Sequence, residues 1–145
     1  MYLVSACLAG LNTRYNGENS LNETVKALVL EGRAIPVCPE QLGGLPTPRP
    51  AAQFDGGDGS GVLEGRTKVL SVDEGADCTG AFLRGAREVL RIARLYGADE
   101  AILKDGSPSC GVLHVRSRGE KIKGRGVAAE LLRREGLKVT CGDTL

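Results

Sequence analysis

The chain has no tryptophan and only 3% aromatic residues, so it carries no row of rings on which the bases of a single strand could stack. It also lacks an excess of charge. The 19 Lys and Arg stand against 18 Asp and Glu, which removes the basic field that nucleic-acid binding needs and leaves such a partner unsupported. No apolar run approaches the roughly 20 residues of a membrane span. The apolar opening Met1–Gly10 is short and has no positively charged leader, so a soluble cytoplasmic protein with no membrane partner is expected. Cys-x-x-Cys is missing too, and five cysteines cannot all pair, which argues against a disulfide framework, a simple zinc ribbon and a thioredoxin-type motif. Thiols in such a protein pack, bind metal or act as nucleophiles.

The 145 residues are read as one domain, 1–145, large enough to bury a core. Tyr2–Val4, Ala34–Val37, Ala101–Leu103 and Leu137–Thr140 are short apolar runs with the look of buried strands. Between them, Leu21, Val25, Leu28 and Val29 fall on one helical face, with Ser20 or Asn22 as cap and Gly32 beyond its end. The strongest helix is Ala81–Tyr96, where Phe82, Ala86, Val89, Leu90 and Ala93 recur at helical spacing; Asp77 or Thr79 starts it and Gly97 ends it. Val127–Arg134 is the last helix. Strand and helix in alternation predict an α/β fold, a small, three-layer, doubly wound and mostly parallel sheet of flavodoxin or Rossmann-like order. Gln41–Leu70 is a Gly/Pro-rich loop in which Val62–Glu64 and Thr67–Leu70 are expected to close a small hairpin insertion. Gly119–Gly126 reads as a basic, glycine-rich turn.

In that fold Cys7, Cys38 and Cys110 each follow a different strand and share one edge of the sheet, the edge at which open α/β sheets bind ligands. Three thiols without a nearby histidine form a soft donor set suited to zinc, copper(I) or an iron–sulfur cluster. The single histidine, His114, reads as a strand residue, with ligation of zinc left open. A cubane normally takes four cysteines; held by three, it leaves one iron open as a thiophilic Lewis acid. Cys78 and Cys141 lack the strand-end placement and are read as packing residues. Glu40, two residues past Cys38 and separated from it by Pro39, is a candidate general base or proton shuttle. Ser107 lies in the constrained loop Lys104–Gly111 and can bond an oxyanion or relay a proton. Lys104 and Arg14–Gly17 are candidates for charge balance and substrate binding. Two other motifs fail: six residues separate Cys7 from Arg14 where a phosphatase loop needs five, and Gly124-x-Gly126-x-x-Ala129 opens a helix with no βαβ unit after it.

Ser5-Ala6-Cys7-Leu8-x-Gly10, Arg14-Tyr15-x-Gly17, Pro36–Glu40 with Gly43–Arg49, and Leu103-Lys104 with Ser107–Gly111 resemble the thiouracil desulfidase family over almost the whole chain. The resemblance implies a [4Fe-4S] cluster held by Cys7, Cys38 and Cys110, a free iron that takes the sulfur of a 4-thiouracil-like base or nucleotide, and Glu40 and Ser107 as the catalytic carboxylate and hydroxyl. Uracil and sulfide would be the products. A metal- or cluster-binding protein without catalysis, a sulfur carrier or sensor, is the alternative. Thr13 stands where many relatives have a cysteine, and Asn16 where they have aspartate.

Overall fold

The computed structural model describes residues 1–145. In chain order its elements are β1 Tyr2–Ser5, a 3-10 turn Ala6–Ala9, α1 Glu23–Leu30, β2 Ala34–Val37, α2 Pro39–Leu42, β3 Ala52–Phe54, α3 Gly59–Leu63 and β4 Val69–Ser71. They continue with α4 Thr79–Tyr96, β5 Glu100–Leu103, β6 His114–Ser117, β7 Glu120–Lys123, α5 Val127–Arg134, β8 Lys138–Cys141 and a terminal turn Gly142–Thr144. No helix is long and apolar enough to cross a membrane.

The first sheet is parallel throughout, in the order β2-β1-β5-β8, which is the expected flavodoxin-like order. Successive side chains of a strand point to opposite faces, and β1 uses both. Leu3 packs with Val89, Leu90 and Ala93 of α4 and Leu132 of α5, while Val4 packs on the other side with Val25 of α1. Both residues are fully buried, as a central strand covered on two faces requires. Asn22 caps α1, its Oδ1 accepting the Val25 N–H at 3.1 Å. Asp77 accepts the Thr79 N–H where α4 begins, and Gly97 ends that helix in the left-handed region at φ 64°.

The insertion is built differently from the expectation. Val62 and Leu63 do not form a strand: Asp58 accepts the Ser60 N–H and starts α3, and Val62 is buried in the core. The antiparallel partner of β4 is β3, with Ala52 opposite Ser71 and Phe54 opposite Val69. A run of two apolar residues, Val62 and Leu63, cannot distinguish helix from strand, and the capping aspartate decides it. Gly119–Gly126 is likewise not only a turn. Arg118 and Gly119 take positive φ and reverse the chain, so that Glu120–Lys123 pairs with β6 as an edge strand whose charged side chains face water. These strands make a second four-stranded sheet, β4-β3-β6-β7, joined by the parallel pair Phe54–Ser117. Phe54, Val69 and Val115 pack against Phe82 and Ala86 of α4 and Val127 and Ala128 of α5. The apolar stripe of α4 therefore serves both sheets, its first half one and its second half the other.

α2 lies on α4 with backbone against backbone. A Cβ at Gly85 would collide with the Pro39 carbonyl, and one at Gly43 with the Ala81 carbonyl. No flexible side chain is there to yield. Gly85→Ala is expected to destabilise the protein by about 1–3 kcal/mol, as overpacking does, and to displace the helix that carries Glu40. A urea midpoint equal to that of the wild type would contradict this contact.

Candidate active site

Because β1, β2 and β5 are parallel, their carboxyl ends open onto one edge. The turn after β1 holds Cys7; Cys38 follows β2 directly and starts α2; the loop after β5 holds Ser107 and Cys110. All four border one cavity of about 310 Å³, together with Glu40. The five residues singled out from the sequence are thus brought to one place.

The sulfurs influence one another. Burial, reinforced by the charge of Cys38, pushes the Cys7 thiol up to about 11, against the pull of Lys104 and Arg14. Burial pushes Cys110 up to about 12; a hydrogen bond from Ser5 opposes this, and the charges of Cys7, Cys38 and Glu40 add to it. Burial thus favours the protonated form of both thiols, and a cation bound there would replace those protons. No three His, Cys, Asp or Glu side chains converge on a point as ligands of a single ion would. Cys7, Cys38 and Cys110 share the border of the 310 Å³ cavity, and their soft, all-thiol donor set fits an iron–sulfur cluster.

The central loop is held from three sides. Lys104 N–H donates to Ser5 Oγ at 2.9 Å. Asp105 Oδ1 accepts the amides of Val112, Leu113 and His114 at 2.9–3.0 Å. The third support is α5, which has no side-chain cap. Its first amides are satisfied by the loop instead, Val127 N–H donating to Pro108 O at 2.7 Å and Ala128 and Ala129 to Ser109 O at 3.0 and 3.1 Å. Gly126 is required because a Cβ there would strike the Ser109 backbone. The glycine pair before α5 is therefore a seat for the loop.

Burial would raise the Asp105 carboxyl, but the three amides more than offset it and hold it below its ordinary value. Its stabilising effect is present above the unfolded value of about 3.9 and is lost as pH falls through the lower folded value. Asp105→Ala is expected to cost about 1.5–3 kcal/mol at pH 7, the scale of hydrogen bonds to a charged group. Urea denaturation at pH 7 and pH 3 checks this: the deficit of the variant should shrink in acid, and an equal deficit at both pH values would contradict it.

Two residues to which sequence reasoning gave no role complete the site. Arg49, buried, donates from Nε to Glu40 Oε1 at 2.9 Å. Its Nη1 reaches Thr47 Oγ1 at 2.8 Å and Pro46 O at 3.2 Å, and its Nη2 reaches Thr13 O at 2.9 Å and Cys38 Sγ at 3.9 Å. Ser109, also buried, donates from Oγ to Glu40 Oε2 at 2.8 Å. The available signal was Glu40 itself, since a carboxylate held inside a fold needs a countercharge. Arg116 of β6 also borders the cavity, on a strand whose place the sequence did not reveal.

The remaining candidates separate cleanly. Arg14, Tyr15, Thr13 and Lys104 border the cavity; Lys104 Nζ is paired with Asp143 Oδ2 at 2.5 Å, and the Arg14 guanidinium lies 5.9 Å from the Tyr15 ring centre. The Asn16 side chain donates to the Glu18 carboxylate and accepts the Glu18 N–H, and so stabilises a turn. His114 sits 3.4 Å from Asp105 Oδ2 and outside the cavity, and neither Cys78 nor Cys141 borders it.

The family model of 2-thiouracil desulfurase matches residues 2–144. A curated relative, an uncharacterised protein YbbK of Bacillus subtilis (strain 168), is 42% identical over 142 residues, covering 96% of this chain and 93% of its own. A solved structure, the [4Fe-4S]-dependent thiouracil desulfidase TudS, superposes with a TM-score of 0.85 at 40% identity, covering 99% of this chain and 91% of that one. With the α/β fold, the thiol-lined cavity and the match over nearly every residue in agreement, the chain belongs to the 2-thiouracil desulfurase family.

Proposed function

We propose that the protein is a desulfidase that replaces the sulfur of a thiocarbonyl base such as 4-thiouracil with oxygen from water, giving uracil and sulfide. The observation that carries this reading is the meeting of Cys7, Cys38 and Cys110, from three strand ends, with Glu40 and Ser107 around one cavity. A [4Fe-4S] cluster held by those three cysteines, when bound, supplies a thiophilic Lewis acid that polarises the carbon–sulfur bond. The chain's own groups do the rest. Glu40 takes the proton of the water that adds to the thiocarbonyl carbon, and Arg49 and Ser109 hold its carboxylate in place. Ser107 Oγ, fixed by the Cys110 N–H at 2.7 Å, presents its hydroxyl at the loop that carries the third thiol. The reaction exchanges sulfur for oxygen and transfers no net electrons. Five free cysteines suit a reducing compartment such as the cytoplasm. A carrier or sensor of sulfur has no use for a carboxylate tied to a buried arginine and a buried hydroxyl beside the thiols. The test is anaerobic incubation of the cluster-loaded protein with 4-thiouracil: stoichiometric sulfide and uracil support the proposal, and neither product opposes it.

A further inference from the structure

The three side chains Ser107, Ser109 and Glu40 form a line. Ser109 Oγ lies 2.8 Å from Glu40 Oε2 and 3.1 Å from Ser107 Oγ. Its one proton goes to the carboxylate, since its contact with Cys110 Sγ is much longer, at 3.8 Å. Ser109 Oγ is left as an acceptor on its other side. Ser107 Oγ already accepts the amides of Cys110 at 2.7 Å and Ser109 at 3.3 Å, so its own proton is directed to Ser109. The donor order therefore runs from Ser107 to Ser109 to Glu40. The opposite carboxylate oxygen is held by Arg49, which leaves Oε2 as the end of the line.

We propose that Ser109 is a proton relay that connects Ser107, at the substrate, to Glu40, which stores the proton. The inference rests on the desulfidase reading above. As water adds to the thiocarbonyl carbon, it displaces the long Ser109 amide contact from Ser107 Oγ and gives that oxygen a proton; the Ser107 proton passes to Ser109 Oγ, and the Ser109 proton to Glu40 Oε2. One proton is transferred in total and both hydroxyls are restored. The reverse passage returns it to the departing sulfur, so the carboxylate ends as it began. Ser109 acts through its two neighbours and is fully buried in the loop, which explains a hydroxyl placed where packing alone would accept alanine.

Ser109→Ala is expected to keep the iron content, the visible spectrum and the dissociation constant for uracil of the wild type, while kcat on 4-thiouracil falls by about 10²-fold, the lower end of what positioned proton transfer supplies, with KM unchanged. The Ser107→Ala/Ser109→Ala double variant should be no slower than Ser107→Ala alone, because a broken line cannot be broken twice. The dependence of kcat on the D2O fraction should be bowed in the wild type and straight in Ser109→Ala. A kcat within twofold of wild type, losses that multiply in the double variant, or a Ser109→Ala protein that no longer takes up iron would each overturn the relay. Failure of the wild type itself to release sulfide strikes the desulfidase reading instead, so the two ideas fail separately.

Discussion

Glu40→Gln is expected to load iron like the wild type and to lose turnover by about 10²- to 10⁴-fold, the range that a positioned general base contributes. Glutamine has nearly the same shape, so α2 stays seated on α4 through Gly43 and Gly85. The change is chemical. An amide takes up no proton, and its NH2, turned toward Ser109, would force that hydroxyl to accept where it now donates. Sulfide release compared with iron content in the same preparation separates the two effects. Undiminished turnover in a loaded Glu40→Gln protein would remove the carboxylate from the chemistry.

Arg49→Ala carries the largest expected effect on stability. The guanidinium uses both ends of its fork: it meets Glu40, closes the Pro46–Thr47 turn, and ties the Thr13 carbonyl to the cysteine side of the cavity. Removing it strands a carboxylate whose side chain is 11% exposed. Breaking a buried pair from one side costs about 3–5 kcal/mol. A lysine offers a single point of charge in place of a planar fork and should rescue little. Arg49→Met combined with Glu40→Gln, by contrast, should regain most of the stability without regaining turnover, because no charge is then left buried. Urea denaturation of the cluster-free proteins measures both; a loss below about 1 kcal/mol for Arg49→Ala would show that the pair is not a support of the fold.

Much of the fold could be read from residue order, for identifiable reasons. α4 and α5 are long or strongly amphipathic, and the four strands of the parallel sheet are apolar runs between them, so their alternation alone sets the edge on which Cys7, Cys38 and Cys110 meet. The second sheet could not be read this way. Its strands are three or four residues long, β3 lies in a stretch rich in glycine and proline, and β7 is almost wholly charged. Their pairing depends on contacts such as Phe54 with Ser117, which no local pattern announces. The same limit applied within the site. Glu40 and Ser107 were visible as chemistry beside a thiol, but the bond between Glu40 and Ser109 spans 69 positions and exists only once β5 and β2 lie in one sheet. Arg49 was visible only as part of a family pattern, and its role follows from the burial of the carboxylate it neutralises.

Desulfidation at this site depends most on the three thiols acting as one ligand set. Anaerobic reconstitution with iron and sulfide, followed by iron counting and the visible spectrum, tests this on the wild type, on the Cys7/Cys38/Cys110→Ser variant and on a Cys78/Cys141→Ser control. About four irons per chain in the wild type and the control, and none in the first variant, is the predicted result. A folded wild type that takes up no iron, or a Cys7/Cys38/Cys110→Ser protein that does, would contradict it.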